Sequence, residues 1–127
     1  MALTVRNQTV QVVETYINAV RSNDASALPL HPDMVGVFPA NTHRGAEAFR
    51  HALEPFARMV KRLDVLRLVV DGEHCVALLE IETVFGTIPL AEHIHVVNGQ
   101  VVFVRGYYDP RPIVNGGNAA TASPDAV

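Results

Sequence analysis

The sequence predicts a single α+β domain in which N-terminal helices are laid on a curved antiparallel sheet. Three observations predict it. Apolar residues recur at helical spacing only in the first half of the chain, up to about residue 63. Beyond that point, long β-rich runs are separated by three turn signals, Asp71-Gly72, Gly86-Thr87 and Asn98-Gly99, each suited to a tight hairpin. The chain of 127 residues, 49% hydrophobic and 18% charged, can fill one core without disulfides or metals.

Each element follows from local chemistry. Val13, Tyr16, Ile17 and Val20 lie at i, i+3, i+4 and i+7, so a helix is expected over about residues 5–22. Ser22-Asn23-Asp24 stops it, and Asp24 can cap a short second helix that Pro29 and Pro32 must end. Residues 34–38 form a short strand candidate. Phe49, Ala52, Leu53, Phe56, Val60 and Leu63 mark a longer helix opening near Gly45, which Pro55 kinks or divides. A four-stranded meander is expected at about 63–70, 73–85, 88–97 and 100–109, closing a domain of residues 1–112. Residues 113–127 are small and polar and are expected to be a disordered tail.

Charge and cysteine content exclude several function classes. Ten Lys and Arg against thirteen Asp and Glu leave a net charge of −3, which argues against a nucleic-acid partner. The cluster Arg58, Lys61, Arg62 and Arg67 reads as a solvated helix end. The lone Cys75 lies in an apolar run and reads as a small buried hydrophobe, with no thiol zinc site and no internal disulfide. No apolar run approaches bilayer length and the start has no secretion signal, so the expectation is a cytoplasmic protein with no membrane partner.

Hairpin register is the most informative step. If Gly86-Thr87 and Asn98-Gly99 are two-residue turns, Glu80 opposes His93, Leu78 opposes His95, and Glu92 opposes Arg105. One face then gathers Glu80, Glu82, His93, His95, Val102, Val104 and Tyr108; the other carries Leu79, Ile81, Ile94, Val96 and Phe103 with a Glu92–Arg105 cross-strand pair. The first face concentrates carboxylates, imidazoles and a phenol, and is the candidate site. The second, through Ile81, Ile94, Val96 and Phe103, is expected to meet a second copy of the chain, because exposed apolar faces mark contacts.

The helix Val12-Val13-Glu14-Thr15-Tyr16-Ile17, the Gly45-Ala46-Glu47-Ala48-Phe49 opening, and the ending Val104-Arg105-Gly106-Tyr107-Tyr108-Asp109-Pro110 resemble the nuclear transport factor 2-like superfamily. Within it they are similar to SnoaL-like polyketide cyclases, ketosteroid isomerases and limonene-epoxide hydrolases, over about residues 5–112. The resemblance implies a cone-shaped sheet that encloses an apolar pocket, and dimers through the outer sheet face. From the isomerases it implies that Tyr16 donates to a developing oxyanion; their base position falls at Phe38 and their second oxyanion acid near His93. From the hydrolases it places Glu82 at one acidic position, with Glu80 and Gly106 where an arginine and an aspartate would stand. From the cyclases it implies Asp109 acting with His93 or His95.

The expected function is therefore a cofactor-independent acid–base enzyme on a small hydrophobic ligand, an isomerase or cyclase, with an epoxide hydrolase or a non-catalytic binding domain as alternatives. His93, made more basic by Glu80, removes a proton beside a carbonyl. Tyr16 or Tyr108 stabilises the oxyanion, and Glu82 is the alternative base. Val13, Ile17, Phe38, Phe49, Leu53, Phe56, Val102 and Val104 form the pocket wall. A two-His, one-carboxylate metal set from His93, His95, Glu80 and Glu82 is geometrically conceivable, but the resembling families need none and no metal is expected. The remaining histidines, His31, His43, His51 and His74, read as surface residues.

Overall fold

In the computed structural model, which describes residues 3–113, the first apolar stripe forms helix α1, Val5–Arg21. The Thr4 hydroxyl caps it by accepting from the Asn7 backbone N–H at 3.1 Å, satisfying one of the free donors at a helix start. After a one-turn 3₁₀ segment at Ala25–Ala27 come β1 (Leu30–Val37) and β2 (Thr42–Arg44), then α2 (Ala46–Met59), which continues through Pro55 as one segment. The meander follows as β3 (Val60–Asp71), β4 (His74–Thr83), β5 (Gly86–Val97) and β6 (Gln100–Tyr107). The expected tail, beyond Ile113, lies outside the described residues. Lys61, Arg62 and Arg67 lie on β3, so only Arg58 belongs to a helix end.

The six strands form one curved sheet in the order β2-β1-β6-β5-β4-β3. β1 runs parallel to β6, so the sheet is mixed and not purely antiparallel as expected. The long connection from β1 through β2, α2, β3, β4 and β5 returns the chain in the same direction. Bulges in β1, β3 and the β5–β6 pair bend the sheet around the helices. α1 packs against β3, β4 and β5 while α2 packs against β1 and β2, so both helices cover the same, concave face. Two side-chain ties fix α1 there. Thr9 Oγ1 donates to the Gly72 carbonyl at 2.7 Å, and Arg21 donates from Nε and Nη2 to the Leu63 carbonyl at 3.1 and 2.9 Å. Among the described residues no helix is long and apolar enough to cross a membrane.

Two of the expected registers are corrected. The β4–β5 turn is Val84-Phe85, because the Thr83 hydroxyl accepts from the Phe85 N–H at 3.0 Å and donates to the Gly86 carbonyl at 2.8 Å, closing the loop two residues early. Glu80 therefore faces Pro89, His93 faces Val76, and His95 faces His74. The Asn98-Gly99 turn forms as expected, with φ of 49° and 78°. Beyond Val96↔Val101 a bulge leaves Val102 as the extra residue on β6, and every later pair slips by one. Glu92 consequently faces Gly106, and Arg105 faces His93 while its guanidinium lies 5.4 Å from the Tyr107 ring centroid.

The packing of α1 and α2 inverts the assignment of core and surface on β4 and β5, and the Val102 bulge brings Val104 and Gly106 to the inner face with Glu92. Ile81, Ile94 and Val96 are 2%, 0% and 3% exposed, lining the interior, so they are not a dimer face. Phe103 sits on the outer face with Glu80, His93 and His95. The exposed apolar side chains of the outer face include Leu66, Val69, Val76 and Leu78 on β3 and β4 and Tyr107 on β6. Cys75 is buried as expected, and burial pushes its thiol pKa up to about 11.

Candidate functional site

The concave face and α2 line a half-open cavity of about 250 Å³. Its apolar wall comes from Phe38 at the end of β1, Phe49, Leu53 and Phe56 on α2, and Leu90 on β5. The rings of Phe38 and Phe49 lie 5.9 Å apart, and glycines make room for them. A Cβ at Gly106 would stand 2.7 Å from Phe38 Cδ1, and one at Gly36 would stand 2.6 Å from the Phe49 ring. Both positions admit only a hydrogen at the sheet surface.

Four polar side chains reach this cavity: Asn41, His43, Glu92 and Tyr108. Glu92 is the carboxylate among them. It projects inward from the middle of β5, between Ala77 on β4 and Gly106 on β6, and is 8% exposed. Burial raises its pKa from 4.5 to about 7, against the opposing pull of the neighbouring Tyr16 hydroxyl. Its Oε1 has no hydrogen-bond partner among the described residues, an unusual state for a buried carboxylate. Tyr16 reaches it from the inward stripe of α1, its ring tilted 41° to that of Phe49 with centroids 6.3 Å apart; burial first, then the Glu92 charge, raise the tyrosine pKa. Tyr108 is half-buried beside the same cavity, and burial followed by the Glu92 charge also raises its pKa.

The structure thus brings together Tyr16, Phe38, Phe49, Leu53, Phe56 and Tyr108 of the expected set. It does not bring the others. His93 points outward, its Nε2 2.9 Å from His74 Nδ1, and its pKa is lowered by burial and by the neighbouring imidazoles. His95 faces the same way, with Nε2 3.7 Å from Glu73 Oε1. Glu82 lies 3.5 Å from Arg62 on the outer side, and Glu80 shares that side beside Asp64. Asp109 is at the surface, clamped by Arg111 at 2.7 Å, whose hydrogen bonds lower its pKa. Val13, Ile17 and Val104 are buried in the core outside the cavity wall, and Val102 is the bulge residue.

Sequence reasoning missed Glu92, Asn41 and His43. For Glu92 a signal existed: it was the lone acid on the more apolar face, opposite a residue whose partner depended on an unseen bulge. His43 and Asn41 carry no pattern of their own, since they reach the cavity only because β2 folds back on β1. The two-His, one-carboxylate metal set is not assembled, and no group of three or more His, Cys, Asp or Glu side chains among the described residues could hold a metal ion.

A curved mixed sheet covered on its concave face by helices, with a small apolar cavity and a buried acid, is the nuclear transport factor 2-like fold. The SnoaL-like domain family matches residues 13–108, and the chain belongs to that family. Among solved structures, a protein of Kribbella flavida is similar at 27% identity and a TM-score of 0.80, over 87% of this chain and 93% of that one. A putative ketosteroid isomerase from the same organism is 18% identical, TM-score 0.73, over 85% and 82%. A putative SnoaL-like polyketide cyclase of Jannaschia sp. CCS1 is 16% identical, TM-score 0.74, over 98% and 99%. The latter two likenesses are of fold. No curated protein matches the chain.

Proposed function

We propose that the chain is a cofactor-independent acid–base enzyme acting on a small, largely apolar molecule with an enolisable carbonyl, an isomerase- or cyclase-like reaction, with Glu92 as the base. The observation that carries this reading is the buried carboxyl whose pKa lies near 7 and whose Oε1 is unpaired beside an apolar cavity. A base is most effective when its pKa lies near the working pH. Oε1 takes the proton next to the substrate carbonyl. Tyr16, whose hydroxyl lies beside Glu92 and pulls its pKa down, acts as a positioning residue for the carboxylate. Tyr108 donates to the oxygen that gains charge, a hydrogen bond that strengthens where water is excluded.

The test does not need the natural substrate. The protein is incubated in D₂O with a panel of small apolar ketones, and deuterium appearing at the α-carbon is followed by NMR. Exchange catalysed by the protein and lost in Glu92→Gln is the expected result. A ligand that binds tightly, is recovered unchanged and shows no exchange selects the non-catalytic reading, for which Phe38 at the isomerase base position speaks. We also infer that a second copy covers the exposed strip of Leu66 and Val69, 62% and 52% exposed, with Val76 and Leu78.

A further inference from the structure

Three imidazoles meet on the outer face, on the opposite side of the sheet from Glu92. His74 and His95 are directly opposed across β4 and β5, with ring centroids 4.1 Å apart and planes 14° apart. His93, two residues before His95 and on the same face, brings its Nε2 to 2.9 Å from His74 Nδ1. The edge of Phe103 braces His93 from β6, with ring centroids 5.9 Å apart and planes at 63°. The pair is therefore held between two other rings.

We propose that His74 Nδ1 and His93 Nε2 form a two-point chelate for a late divalent transition-metal ion, Cu²⁺ or Ni²⁺. An imidazole nitrogen binds such an ion at about 2.0–2.1 Å, so two bonds at a right angle hold their nitrogens about 2.9 Å apart. That is the separation found here. A tetrahedral angle needs about 3.3 Å, which makes the site better suited to square-planar or octahedral ions than to zinc. The ion takes the place of the hydrogen between the two rings, and the ring that donated it carries its proton on its other nitrogen, so both ligands remain neutral imidazoles. For both lone pairs to converge on it, each ring turns by about 45°, largely about a terminal torsion with broad, shallow wells. His95 is a support and not a ligand, since its Nε2 is directed toward Glu73 at 3.7 Å. No third side chain converges on the pair among the described residues, so water fills the remaining positions and leaves them open to an external ligand.

The test is titration of the purified, metal-free full chain with CuCl₂ and NiCl₂ by calorimetry, with electron paramagnetic resonance of the copper form. One tightly bound ion per chain is expected, with hyperfine coupling to two imidazole nitrogens. His74→Asn and His93→Asn should each weaken binding about tenfold or more, the least expected of a lost ligand. His51→Asn, which removes an exposed histidine on α2, should leave the affinity unchanged. Thermal melts of the variants confirm that they fold. Unchanged affinity in either ligand variant overturns the proposal, and so does an equal loss in His51→Asn, which would mean scattered surface binding.

Discussion

Replacing Glu92 by Gln should change how stability depends on pH, and by an amount the structure specifies. The folded-state pKa of about 7 lies above the reference value of 4.5, so the native state holds the Glu92 proton more tightly than the unfolded chain does. The resulting stabilisation is full below about 4.5 and is lost as pH rises through about 7. At 1.36 kcal/mol per pKa unit, ionising the buried carboxyl costs the fold about 3 kcal/mol once pH is well above 7. Gln is of similar size and does not ionise, so the variant lacks this loss. Urea unfolding of both proteins, followed by circular dichroism between about pH 5 and pH 8.5, isolates the effect because every other titrating group cancels in the difference. The variant should gain about 2–3 kcal/mol relative to the native protein across that window. A difference that stays flat with pH would falsify the assignment of Glu92 as a buried, high-pKa acid, and the proposed base would go with it.

Further outcomes follow from the same geometry. Tyr16→Phe removes the hydroxyl that lowers the Glu92 pKa, so the acid should titrate above its present value of about 7, read from the ¹³C shift of the Glu92 carboxyl; a downward move would contradict the pairing. Gly106→Ala sets a Cβ 2.7 Å from Phe38 Cδ1, so the Phe38 ring must move, costing about 1–3 kcal/mol in denaturant unfolding and weakening ligand binding. Leu78→Glu places a charge in the exposed strip on β4 and should yield monomers in sedimentation runs where the native chain forms dimers; a native chain that is already monomeric refutes the second-copy inference.

The fold was legible because its elements are locally encoded. The stripe of Val13, Tyr16, Ile17 and Val20 specifies α1, and alternation with Asn98-Gly99 specifies the last hairpin, since helix period, strand period and turn residues are properties of neighbours in the chain. β2 was not legible: three residues, Thr42–Arg44, form a strand only because β1 is beside them. The site was half legible. Tyr16, Phe49 and Phe56 could be placed from helix spacing, but the acid could not.

Local pattern by itself determined that this chain is one α+β domain with an apolar interior, and that two sets of residues alternate across the meander. Only the tertiary structure decided which set looks inward. The early turn closed by the Thr83 hydroxyl shifts β4 against β5 by an even step and keeps their faces, whereas the unpaired Val102 slips the last strand by one. A strand has a period of two, so a one-residue slip exchanges the faces of everything beyond it. That slip parts Glu92 from Arg105 and seats it opposite Gly106, and the packing of α1 and α2 on that side makes it the buried acid while the histidines face out.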